Sequence, residues 1–173
     1  MNDNGLLVEA AERLHLSQTD LASVLGVTQA ALSAWKTGKR QLNNAAAELL
    51  RRALEALDAP RVVIGTGWKD QQVSAPAERW TPVFRPTRPY RLPVHIDWSA
   101  RRVRQPYDDA DTASLYATAI NNGSAADVRL WVDPELLAEY WSDIPIDPPL
   151  RAMWAEHLRS LGYKLNEREH AAV

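Results

Sequence analysis

The sequence predicts a mainly α-helical protein in which an extended connector separates two helical segments. Residues 5–58 are rich in Ala and Leu and contain no proline, whereas residues 59–107 hold seven of the eleven prolines. Because proline disrupts helix interiors, the middle segment cannot form long helices. Residues 108–163 again show a pattern typical of helices, with clear helix start and stop signals. We therefore predict three parts: an N-terminal domain at 1–58, a connector at 59–107 and a C-terminal module at 108–173.

Composition excludes several classes of protein. The chain has no cysteine, which rules out a disulfide framework, a thiolate metal site and a cysteine nucleophile. No apolar run approaches the roughly 20 residues of a membrane span, so we expect a cytoplasmic protein without a membrane partner. The net charge of −2 is unevenly distributed, with +6 over residues 61–104 and −7 over residues 105–173. A chain with this charge is not a general polyanion binder, and any contact with a polyanion must come from a local patch.

The stretch Leu16–Arg40 carries the clearest pattern. Ser17 is placed to cap one helix and Thr28 to cap the next, while Gly26 supplies the left-handed residue that ends the first helix. Two short helices joined by a glycine-centred turn commonly form an angled helix-turn-helix. The spacing therefore predicts this motif.

The second helix of the pair divides into two faces. Helical periodicity turns Ala31, Leu32 and Trp35 toward the core and leaves a small outward face that fits a DNA major groove. A glutamine side chain can form a two-pronged bond to adenine, and alanine methyls can contact thymine. The predicted base-reading residues are Thr28, Gln29, Ala30, Ser33 and Ala34. The predicted phosphate contacts are Gln18, Lys36, Lys39 and Arg40.

This stretch resembles the lambda-repressor-like (Cro/C1, XRE-type) helix-turn-helix family. The resemblance covers about residues 5–58 and implies a DNA-binding bundle of four or five helices, closed by a helix over Ala45–Leu57. The alanine-rich outward face departs from the usual pattern, since it offers fewer hydrogen bonds to bases. An alternative is that the helix pair only packs or contacts protein. The residues that carry the resemblance are Gln18, Leu21, Ala22, Leu25, Gly26, Val27, Thr28, Leu32, Trp35, Gly38, Lys39 and Arg40.

The connector combines arginines with aromatic residues. Its segments Arg61–Ile64 and Arg91–Ile96 are predicted to form either short strands or extended segments. This mixture of arginines and aromatic residues is suited to binding a nucleic acid or a partner protein. Alternatively, its aromatics dock on the C-terminal module and its arginines pair with the acids of that module. The predicted partner-binding residues, which include one from the C-terminal module, are Trp80, Phe84, Arg88, Tyr90, Trp98 and Trp141.

The C-terminal module shows repeated helix-capping signals. Asp111 is predicted to cap a helix that ends before Gly123, and Ser124 with Asp127 forms a capping box pattern. Asp-Pro pairs at 133–134 and 147–148 each predict a cap followed by proline in the first turn, and Gly162 ends the last helix.

No motif supports catalysis. The acidic group Asp108, Asp109 and Asp111 fits a helix N-terminus, so we expect no enzyme, no cofactor and no metal site. A metal-dependent activity at these three aspartates is the enzymatic alternative.

The C-terminal module supplies a second resemblance. It covers about residues 100–160, in which residues 104–109, 115–123 and 127–137 are similar to regulators encoded beside nucleotidyltransferase toxins. This similarity implies an antitoxin that represses its own operon and binds a toxin. We also expect two copies to pair on DNA, because one small domain rarely provides enough specific affinity. An alternative is a protein-interaction or ligand-sensing module that the N-terminal bundle locates on a phage or plasmid assembly.

Overall fold

The computed structural model describes residues 3–97 and 103–167, which form two compact units. The described part of the chain is mainly helical, as predicted. The first unit contains the residues up to Ala59 and those between Val83 and Asp111, and the second contains Pro60–Pro82 and the chain from Thr112 onward. The segment predicted as a connector is thus divided: residues 60–82 belong to the second unit and residues 83–107 to the first.

Four helices form the N-terminal part of the first unit. They are α1 (Asp3–Arg13), α2 (Gln18–Val24), α3 (Gln29–Lys36) and α4 (Asn44–Asp58). α1 packs against α4 and α3, and α2 packs against α3. The buried side chains of α4 recur on one helical face that includes Ala46, Leu50 and Ala53, which explains why this helix closes the bundle. The predicted closing helix is confirmed, with one added residue at each end.

Residues 83–97 and 103–111 complete the first unit. Phe84, Leu92 and Ile96 are buried, and the backbone of Tyr90 pairs with that of Arg104 in an antiparallel bridge. Of the two alternatives for residues 91–96, a strand or an extended segment, the strand does not form. A turn occupies residues 94–96, where the Pro93 carbonyl accepts hydrogen bonds from the backbone N–H groups of Ile96 and Asp97.

The second unit begins with a hairpin. β1 (Arg61–Thr66) pairs antiparallel with β2 (Gln72–Pro76), and a 3-10 turn (Trp68–Asp70) connects them. The predicted strand at 61–64 is confirmed and extends two residues further. β1 packs against α8 (Pro148–Ser160), and β2 packs against α6 (Ala125–Trp131).

The remaining helices are α5 (Asp109–Asn122) and α7 (Pro134–Glu139). The capping box at α6 is confirmed: Ser124 accepts from the Asp127 N–H, and the Asp127 carboxylate accepts from the Ser124 N–H. Asp133 caps α7 as predicted, and Gly162, at φ +85°, follows the end of α8. Asp147 precedes α8 but makes no side-chain capping hydrogen bond.

The cap of α5 differs from the prediction. Asp108, not Asp111, precedes the helix, and its carboxylate accepts from the Asp111 backbone N–H at 2.8 Å. Asp111 is buried and accepts from the Gln105 N–H at 2.7 Å, so it fastens the preceding chain to the first turn. Within residues 3–97 and 103–167, no group of three or more His, Cys, Asp or Glu side chains is arranged to hold a metal ion.

Candidate nucleic-acid interface

Two capped helices and a glycine turn set the geometry of the site. The Ser17 hydroxyl accepts from the Asp20 N–H, and the Thr28 hydroxyl accepts from the Ala31 N–H, each at 3.1 Å. Gly26 adopts φ +68°, which lets the chain reverse between α2 and α3 without the steric cost that a Cβ atom would bring. Local sequence therefore fixes where α3 begins.

The inner face of α3 anchors the helix in the bundle. Leu32 and Trp35 are 1% and 6% exposed, and Ala31 is half-buried. These contacts fix the rotation of α3 about its axis, because α3 packs against both α1 and α2. The face opposite them is consequently defined by core packing.

The outer face of α3 is accessible. Thr28, Gln29, Ala30 and Ser33 are exposed, and Ala34 is half-buried. The side chains predicted to read bases therefore lie outside the core. Because two members of this set are alanines, only a few side chains on this face can form hydrogen bonds to bases, and the alanine methyls can offer only apolar contact.

Gln29 has a side-chain partner that the sequence did not indicate. Its Nε2 donates a hydrogen bond to the hydroxyl of Thr19 on α2. A glutamine amide carries two N–H donors and one carbonyl acceptor. One donor and the acceptor therefore suffice for a bidentate contact to adenine while the other donor holds the bond to Thr19. Thr19 lies ten residues away in sequence, so only the fold reveals that it orients Gln29.

The predicted phosphate-binding side chains lie at both ends of the helix pair. Gln18, Lys36, Lys39 and Arg40 are all exposed. Gln18 and Lys36 line the same small cavity of about 200 Å³, so the fold brings them together. Lys39 and Arg40 follow Gly38 in the turn after α3, where the Arg40 N–H donates to the Ala34 carbonyl at 3.1 Å. This bond ties the basic turn to the end of the outer face.

Three residues predicted to bind a partner lie in the core. Phe84, Tyr90 and Trp141 are 2%, 6% and 2% exposed, so they cannot form a surface contact in this structure. Burial raises the pKa of Tyr90 to about 12, partly offset by the charge of Arg104. We therefore remove all three from the predicted partner surface. The sequence misleads here because composition alone does not show whether an aromatic side chain is buried or exposed.

The other predicted partner residues have varied environments. Trp80 is half-buried: its Nε1 donates to the Val132 carbonyl at 2.9 Å, and its ring lies edge-on to that of Tyr163. Arg79 beside it bonds to Glu135 at 2.6 Å. Trp80 and Arg79 therefore contact the C-terminal part of their own unit, which agrees with the alternative that the aromatics and arginines of the connector dock on the C-terminal module. Arg88 is exposed, and Trp98 lies outside the described residues.

Comparison with known proteins identifies the N-terminal domain. A helix-turn-helix family model matches residues 7–58, a range that begins within α1 and ends with the last residue of α4. No curated protein and no solved structure gives a significant match to the chain. In the part of the chain that the structure describes, no helix is both long and apolar enough to span a membrane. Residues 7–58 are a helix-turn-helix domain of the lambda-repressor-like (XRE) type, the DNA-binding domain of a transcription regulator.

Proposed function

We propose that the protein represses transcription by sequence-specific binding to an operator, with the outer face of α3 in the major groove. The observation that carries the proposal is the accessible face formed by Thr28, Gln29, Ala30 and Ser33 opposite a buried Leu32 and Trp35. Gln29 is preoriented by Thr19, which lowers the entropy lost when it binds a base.

Selection of bound fragments from random DNA tests this proposal. The wild-type protein is expected to enrich a defined motif, and Gln29→Ala is expected to bind that motif more weakly by about 1–3 kcal/mol, which is roughly 5- to 150-fold. Gln71→Ala, an exposed glutamine of the second unit, is the matched control and should bind as the wild type does. Failure to enrich any motif would contradict the proposal.

Phosphate contacts have a different signature. Lys39→Gln is expected to weaken binding to all sequences alike and to reduce the slope of log K against log salt by about 1. The sequence preference should not change, because a phosphate contact carries no base information.

Two copies are proposed to occupy half-sites about one helical turn apart, roughly 34 Å from centre to centre. Light scattering on and off operator DNA measures the stoichiometry. A strict monomer in both conditions would contradict the pairing.

We further propose an antitoxin role in the cytoplasm, in which the second unit binds a toxin and the regulator represses its own operon. Support comes from the resemblance of residues 100–160 to such regulators and from exposed apolar side chains on the second unit. Val62, Val63 and Leu136 are 39%, 51% and 38% exposed, which provides apolar surface for a partner.

Co-purification with the product of the adjacent gene tests the antitoxin role. Val63→Asp and Leu136→Asp are expected to weaken the complex at least tenfold, about 1.4 kcal/mol. Val94→Asp changes an exposed valine of the first unit and should leave the complex intact. An adjacent gene product that does not bind the wild-type protein would contradict this role.

Ligand sensing is the second candidate function, favoured by an open groove in the second unit. The groove has a volume of about 760 Å³ and is lined by polar side chains such as Gln72 and Ser74 as well as by Leu150. Pockets of this size accommodate small molecules. Thermal-shift screening of polar metabolites is the test: a ligand should stabilise the wild type but not Gln72→Trp, which fills the groove. Glu156→Trp is the exposed control.

A further inference from the structure

A proline-rich segment of the chain folds as part of the DNA-binding unit. We call residues 83–97 the arginine segment. Although the family match ends at residue 58, this segment belongs to the same compact unit as α1–α4. Phe84, Tyr90, Leu92 and Ile96 are between 0% and 6% exposed. A segment with this much buried apolar surface is an ordered part of the unit.

The arginine segment is attached beside α2. At the C-terminal end of α2, the Ser23 hydroxyl donates to the Pro89 carbonyl at 2.6 Å. In the turn before α2, the His15 ring packs edge-on against His95 with ring centroids 5.4 Å apart. Because the two anchors flank both ends of one helix, the segment follows α2, the first helix of the helix-turn-helix pair.

Arginine recurs at every third position of this segment. Arg85, Arg88 and Arg91 are all exposed, whereas the aromatic residues between and before them are buried. The only acidic residue in 83–97 is Asp97, which is bonded to Arg104 at 2.7 Å with both side chains at least nine-tenths buried. The segment therefore carries three exposed arginines, and its own sequence contains no other acidic residue.

The helix-turn-helix domain itself has no net positive charge. Residues 1–58 carry six Lys and Arg against seven Asp and Glu, a formal charge of −1. Binding to the phosphate backbone depends on local cations that displace condensed counterions. An acidic domain with three predicted lysine and arginine contacts has few of these.

We infer that Arg85, Arg88 and Arg91 contact the phosphate backbone of the bound DNA and extend the interface beyond the family domain. This inference rests on the proposed DNA-binding function. The ligand is duplex DNA read without sequence preference, because arginines on an irregular segment beside α2 provide charge but no element that fits a groove. Sequence specificity stays with α3.

The salt dependence of DNA binding tests the inference in the full chain. Replacing the three arginines together (Arg85→Gln, Arg88→Gln, Arg91→Gln) is expected to reduce the slope of log K against log salt by about 2–3. The enriched motif should stay the same. The corresponding triple lysine variant keeps the charges and should retain a slope within about 1 of the wild type. The double variant Arg51→Gln with Arg52→Gln removes two exposed charges from α4 and should also retain the wild-type slope.

Three results would overturn the inference. The first is an unchanged slope of log K against log salt in the glutamine variant. The second and third are a reduction of this slope in the lysine variant or in the α4 control that equals the reduction in the glutamine variant. An unchanged slope combined with loss of a co-purifying protein would assign the segment to a protein partner instead. In each case the wild-type protein would still enrich its motif, so the proposed function would stand. Failure of the wild type to enrich any motif is the separate outcome that contradicts the function.

Discussion

A buried ion pair holds the end of the arginine segment. The Nη1 atom of Arg104 lies 2.7 Å from Oδ2 of Asp97, and the two side chains are 2% and 9% exposed. The backbone of Arg104 also exchanges two hydrogen bonds with Tyr90, at 3.1 and 2.8 Å. Loss of the arginine side chain therefore perturbs the part of the unit that carries the exposed arginines.

Replacing Arg104 with Met keeps most of the side-chain volume but removes the ion pair from the buried Asp97 carboxylate. Breaking a buried pair in this way costs about 3–5 kcal/mol. That loss is large beside a total stability of about 5–15 kcal/mol for a typical protein. The double variant Asp97→Leu with Arg104→Met removes both charges and is expected to recover most of the lost stability.

Guanidinium unfolding followed by circular dichroism measures these free energies, and hydrogen exchange locates the change. Arg104→Met should accelerate exchange in residues 83–97. The control is Arg13→Met, which breaks the exposed pair with Asp58 and should leave the unfolding midpoint nearly unchanged, because water screens an exposed pair. The reasoning would be refuted if Arg104→Met cost less than about 1 kcal/mol. It would also be refuted if the double variant lost as much stability as the sum of the losses in Arg104→Met and Asp97→Leu.

Three further predictions concern caps, titration and the turn. Thr28→Ala removes the bond to the Ala31 N–H and should lower the free energy of unfolding by about 1 kcal/mol, whereas Thr28→Ser should cost little; thermal denaturation measures both. Burial raises the pKa of Tyr90 to about 12, so the contribution of neutral Tyr90 to the stability of the folded state should be complete below pH 10 and lost as the pH rises toward 12. Comparing ultraviolet titrations of the wild type and Tyr90→Phe measures the pKa of this side chain. Ionisation of Tyr90 near pH 10 would contradict the prediction. Gly26→Ala meets no atom within 4 Å but must adopt φ +68°, so it should cost about 1–2 kcal/mol from backbone strain alone; an unchanged unfolding midpoint would contradict this.

Local signals made the helix-turn-helix predictable. Ser17, Gly26 and Thr28 each act within three or four residues of their own position, and helical periodicity then decides which side of α3 is buried. The same holds for the Ser124 capping box and for Asp133. Such features depend on the chain close by, so the sequence alone determines them.

Features that depend on distant parts of the chain were not predictable. β2 contains Gln72 and Ser74 and has no strong strand pattern, and it forms because β1 and α6 supply its partners. The burial of Phe84 and Tyr90 likewise depends on contacts within a unit assembled from separate stretches of sequence. The bond from Gln29 to Thr19 requires α2 and α3 to be in place.

The placement of α3 on DNA can be tested directly, since the chain has no cysteine. Ser33→Cys introduces a single thiol on the exposed face of α3, and Glu55→Cys introduces one on the exposed face of α4. An iron chelate attached to the Ser33→Cys thiol is expected to cleave the selected operator at the bases of each half-site, with little cleavage from the α4 position. Cleavage from α4 that equals or exceeds cleavage from α3, on DNA that both proteins still protect, would contradict the placement of α3 in the major groove.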